Sequence, residues 1–107
     1  MSQFELPNPI TKESVAELRE SVLTQVLDHI HTVLETDEGY TLNFGRQSDC
    51  IDLMVAFLKI ERVCQPFLRM ALISESNGGP VKLEVAGPTG TKDFMQTEYG
   101  LRRWLDN

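Results

Sequence analysis

The chain has 107 residues, of which 41% are hydrophobic and 24% charged, the composition of one ordinary globular domain and not of a disordered, fibrous or disulfide-stapled chain. At this length folding buries roughly two-thirds of the unfolded surface, enough for one core without disulfides or a structural metal. Sixteen acids against ten bases leave a net charge of -6, and residues 1–40 hold the whole imbalance, eight acids to two bases. An acidic surface repels phosphate backbones and anionic lipid heads, and no Lys/Arg stripe overrides it, so nucleic acid and membrane are disfavoured as partners.

The longest apolar run, residues 53–58, is six long, against roughly eighteen for a bilayer-spanning helix. The first twenty residues have neither the basic start nor the apolar stretch of a secretory signal. Cys50 and Cys64 fall on one expected helix, about 21 Å apart at about 1.5 Å per residue, too far for a disulfide, which needs about 7 Å. Unpaired thiols and the missing signal point to the cytoplasm.

Residues 1–10, with Phe4, Leu6, Pro7 and Pro9 and no period, read as an extended N-terminal arm. Thr11 looks like an N-cap, with Ile10 and Val15 as a hydrophobic staple and Glu13 in the first turn. Val15, Leu18, Val22, Val26, Ile30 and Val33 recur at helical spacing and predict a long amphipathic helix to about residue 35, with Gly39 as its left-handed exit. Tyr40, Leu42 and Phe44 alternate with Thr41 and Asn43 as a half-buried strand.

A second helix is expected from Ser48 or Asp49, either as cap, carrying Leu53, Phe57, Ile60 and Cys64 on one face until Pro66 stops it. Residues 67–74 and 81–85 alternate about the turn 75–80 and predict a hairpin. Gly87-Pro88-Thr89-Gly90 reads as a tight turn, with Thr91 capping a last helix that Gly100 breaks or bends and that ends in core residues Trp104 and Leu105.

The expectation is a single α+β domain over residues 1–107, ordered helix-strand-helix-strand-strand-helix. Its three-stranded sheet has the third strand antiparallel between the other two, a right-handed crossover, and helices packed mainly on one face. Two helices fill one face of such a sheet, so the second face, with Phe67, Ala71 and Ile73 beside Arg69, Lys82 and Glu84, awaits either the third helix or another subunit.

The most distinctive stretch is Glu61-Arg62-Val63-Cys64-Gln65-Pro66-Phe67. With Gly79-Pro80, Leu83, Gly87-Pro88, Gly90 and Phe94, it resembles a group of small uncharacterised bacterial proteins. In these a helix ending Glu-Arg-x-Cys-Cys-Pro-Phe precedes a hairpin, a Gly-Pro-x-Gly turn and a final helix. The resemblance covers roughly residues 40–94 and implies no stated activity. Gln65 replaces the second cysteine of that pattern, which weakens a thiol-pair reading.

Glu61 and Cys64, three apart on one face, offer a carboxylate and a thiolate to a soft metal, with His29 as the third donor. Cys64 ends its helix, however, where unpaired carbonyls disfavour a thiolate, so a buried, unreactive cysteine is the favoured reading. Glu61 is then expected to pair with Arg62 or to brace Arg69, and His29 to be a hydrogen-bonded core or interface residue. Gly90, Thr91 and Lys92, between strand and helix, are a candidate anion site without P-loop or dinucleotide-fold spacing, and a plain turn and cap is favoured there. No triad or cofactor motif is present.

The composite expectation is a non-enzymatic cytoplasmic interaction module without a cofactor. It forms a homo-oligomer, and binds a protein partner, through its long helix or second sheet face. A soft-metal or thiol-binding protein using Cys64 with Glu61 is the alternative.

Overall fold

The computed structural model describes residues 5–105. Helix α1 (Ala16–His29) leads into a hairpin of β1 (Thr32–Glu35) and β2 (Gly39–Asn43). A 3-10 turn (Ser48–Cys50) opens α2 (Ile51–Cys64), followed by strands β3 (Arg69–Ser74) and β4 (Val81–Ala86) and helices α3 (Thr91–Glu98) and α4 (Arg102–Leu105). The four strands form one sheet ordered β1-β2-β4-β3 with every neighbouring pair antiparallel.

The α+β class and the insertion of β4 between β2 and β3 follow the sequence pattern, whereas the strand count does not. The expected long helix stops at His29, Ile30 turns extended (φ -67, ψ 126), and residues 32–35 become a fourth strand. Ile30 and Val33 face inward in either structure, so a helical stripe and a strand read alike over so short a stretch. The β-branched Thr32 and Val33 favour the strand, and pairing Val33 with Leu42 and Glu35 with Tyr40 supplies backbone partners.

Gly39 is correspondingly not a helix exit. It is buried at the start of β2, and a Cβ there would lie 1.9 Å from the Val85 carbonyl oxygen, so only glycine lets β2 close on β4.

At the start of α1, Thr11 and Ser14 exchange bonds, each backbone N–H donating to the other's hydroxyl at 2.8 and 3.0 Å. This caps a lead-in turn, while Val15 occupies the cap of the regular helix. Cys50, not Ser48 or Asp49, occupies the cap of α2. Gln65 follows its last turn, as Pro66 requires. Thr91 is the first residue of α3, capped by Gly90 at φ 99, and Gly100 at φ 61 separates α3 from α4. Of the N-terminal arm, residues 1–4 lie outside the described residues, and Leu6 packs against the core.

One hydrophobic cluster joins Val22 and Val26 of α1, Phe57 and Ile60 of α2, Tyr40, Leu42, Leu83 and Val85 of the sheet, and Met95, Tyr99 and Leu101 beyond. Helices α1 to α4 therefore all contribute to one side of the sheet, with Trp104 and Leu105 at its border. Burying each large side chain there contributes about 1.5–3 kcal/mol. The third helix does not cover the sheet's second face, which the sequence left as one alternative.

Candidate functional site

Two features stand apart from ordinary packing: a buried charge cluster between the helices, and the open face of the sheet. In the cluster, Glu61 is fully buried on α2. Arg19 of α1 donates Nε to Oε1 at 2.6 Å and Nη2 to Oε2 at 3.0 Å, and the Tyr99 hydroxyl donates to Oε2 at 2.5 Å. Glu98 adds a weaker contact to Arg19 at 3.6 Å.

The bond to Glu61 holds the Arg19 guanidinium above its usual range. Burial, then the Glu61 charge, hold the Tyr99 phenol well above its own. A carboxylate receiving a bidentate guanidinium and a phenol has its lone pairs engaged, which makes the cluster a cross-link of α1, α2 and the end of α3. Edge-on contacts of the Tyr99 ring with Phe57 at 5.7 Å and Phe94 at 5.4 Å lock the phenol in place.

Glu61 thus pairs with neither Arg62 nor Arg69; Arg69 instead lies 3.8 Å from Glu38. Sequence reasoning missed Arg19 and Tyr99. A signal for the first was available: Arg19 adjoins the apolar stripe of one helix as Glu61 does that of another, with opposite charge. Tyr99 carried no such mark.

The proposed metal donors do not converge. Arg19, near the start of α1, meets Glu61, near the end of α2. His29 then sits ten residues from Arg19, about 15 Å along the helix at about 1.5 Å per residue, away from Glu61 and Cys64. Its Nδ1–H donates to the Gln25 carbonyl at 2.7 Å. Among the described residues no group of three or more His, Cys, Asp or Glu is placed to hold a metal ion. Cys64 is half-buried, and burial, then the Glu61 charge, push its thiol up, away from the reactive thiolate.

Gly90, Thr91 and Lys92 do share the rim of an open concavity of about 450 Å³. Asp37, Glu38 and Asp93 line it as well, and the Lys92 ammonium is drawn to Glu35 at 2.8 Å. Carboxylates surround the spot where an anion would sit, and its cation is already paired. The Thr91 hydroxyl is buried, with no hydrogen-bond partner among the described residues.

The open face is made by alternation. Residues whose neighbours point into the core point outward here: Thr32 and Leu34 on β1, Thr41 and Asn43 on β2, Lys82 and Glu84 on β4, Arg69, Ala71 and Ile73 on β3. Leu34 is 69% exposed, and Ala71 is exposed. Among the described residues no helix is long and apolar enough to cross a membrane. In comparisons with protein-family models, with curated proteins and with solved structures, nothing matches the chain.

Proposed function

We propose that this protein is a non-enzymatic interaction module that associates with a second copy of itself through the outer face of its sheet. The observation that carries the reading is that face: four strands wide, with Leu34, Ala71 and Ile73 among its side chains, and packed against no helix among the described residues. An antiparallel sheet commonly leaves one face to water, and it is the apolar Leu34 and Ile73 on this face that favour a contact.

Charge favours a second copy as the occupant. The chain carries -6 overall, whereas the face sets Arg69 and Lys82 beside Glu84 and Glu75, with Glu38 at its edge 3.8 Å from Arg69, so two such faces meet with less repulsion than the rest of the surface would impose. Four strands about 4.8 Å apart and about five residues of about 3.3 Å each make about 300 Å² of projected face per copy. Two copies then cover about 600 Å² of projected face together, below the roughly 1,200 Å² at which stable interfaces begin, so the association is weak and reversible. Sedimentation equilibrium across the micromolar range tests this. A concentration-dependent monomer–dimer equilibrium is expected, and a monomer at every concentration would refute it.

A further inference from the structure

We infer that the two copies pack face to face about a two-fold axis that lies across the strands over Leu83, so that Lys82 of each copy stands opposite Glu84 of the other. The inference rests on the self-association proposed above and specifies its register.

The sheet pairing determines which residues share a row. Val33, Leu42, Leu83 and Leu72 lie side by side across the four strands, all facing inward. One step to one side runs the outward row Thr32, Asn43, Lys82 and Ile73; one step to the other runs Leu34, Thr41, Glu84 and Ala71. A two-fold axis parallel to these rows, above the Leu83 row, lays each strand antiparallel over its own copy. It brings the first outward row over the second.

The chemistry then matches strand by strand. On β4, Lys82 meets Glu84; on β3, Ile73 meets Ala71; on β2, the Asn43 amide meets the Thr41 hydroxyl; on β1, Leu34 meets Thr32. Every contact occurs twice, as an isologous interface demands.

The match extends one outward row further. Arg69 and Glu75 lie three residues before and after Leu72, and the Glu75 N–H continues the β3–β4 ladder by donating to the Pro80 carbonyl at 3.1 Å. Glu75 accepts a bond from Lys82 at 3.3 Å, which places it on the same outer face. The same axis therefore sets Arg69 opposite Glu75. A two-fold axis running along β4 would instead stack Lys82 on Lys82 and Glu84 on Glu84, at a cost in like-charge repulsion. Aligned sheets cross at about 30°, which displaces rows near the centre least, and β4 is a central strand.

Charge reversal tests the register in sedimentation equilibrium of the full chain, with circular dichroism confirming the fold. Lys82→Glu and Glu84→Lys each turn two attractive pairs into repulsive ones, and each is expected to weaken the dimer about tenfold or more. The Lys82→Glu/Glu84→Lys double variant keeps the pairs with signs exchanged and is expected to return to within about threefold of the parent. Arg69→Glu, Glu75→Arg and their double variant form a second cycle, in which the Glu75→Arg arms also remove the contact of Glu75 with Lys82 within the chain. A parent dimer indifferent to the single reversals, or doubles as weak as the singles, overturns the register and leaves self-association standing. A parent that never dimerises overturns both.

Discussion

At Glu61 a single carboxylate without solvent contact is held by one guanidinium and one phenol, and the energetics of such a site are lopsided. Breaking it leaves a buried charge unpaired, whereas replacing the whole cluster by apolar groups removes the desolvation penalty together with the attraction. Arg19→Met is accordingly expected to destabilise the fold by about 3–5 kcal/mol in urea unfolding. The triple variant Arg19→Met/Glu61→Leu/Tyr99→Phe is expected near or above parental stability. Equal losses in both would show that the cluster acts through its shape and not its charge.

Tyr99 adds a pH dependence whose sign follows from its raised value in the folded state. The native phenol holds its proton where an unfolded tyrosine, near about 10, releases it. The stabilisation is thus complete below pH about 10 and is lost as pH rises above it. Alkaline titration at the tyrosinate absorbance should show Tyr99 ionising together with unfolding, and Tyr99→Phe should flatten the stability loss in that range. Cys64 belongs to the same scale. Its burial and its carboxylate neighbour predict slower native labelling by a thiol reagent than that of a free thiol at the same pH, without protection by added metal ions. Rapid labelling would reopen the thiol reading.

Among the elements, α2 and the β3–β4 hairpin were legible because their signals are unambiguous. Pro66 ends a helical stripe, and Val81, Leu83 and Val85 alternate cleanly against Lys82 and Glu84. Strand β1 was hidden because Ile30 and Val33 satisfy the period of α1 as well as that of a strand, and because a four-residue strand has too few side chains to display alternation. What decides in favour of the strand is non-local: β2 needs a partner along its second edge, and residues 32–35 supply one. Gly39 records that decision. Gly39→Ala puts a methyl group against the Val85 carbonyl and should cost about 1–3 kcal/mol or more in thermal or urea unfolding. A neutral result would mean that β2 and β4 can separate locally without loss.

For the whole molecule, the layout follows from counting faces. Residues from all four helices join one cluster on one side of the sheet, so no helix among the described residues covers the other side. Ala71→Glu places a new carboxylate in the outward row that holds Glu84 and is expected to weaken self-association strongly while leaving the monomer folded. Sedimentation and circular dichroism together read this, and an unchanged dimer would move the contact to another surface.

The amino-acid sequence alone determined that the chain is a small acidic α+β unit, where helix α2 and the hairpin lie, and which side chains face inward, because periodicity and proline act locally. Only the tertiary structure decided that Arg19 and Tyr99 close on Glu61, that residues 32–35 pair as an edge strand, and that all helices crowd one side of the sheet. Those outcomes depend on groups as far apart in the chain as Arg19 and Glu98 meeting across a shared core, and no local pattern carries that information.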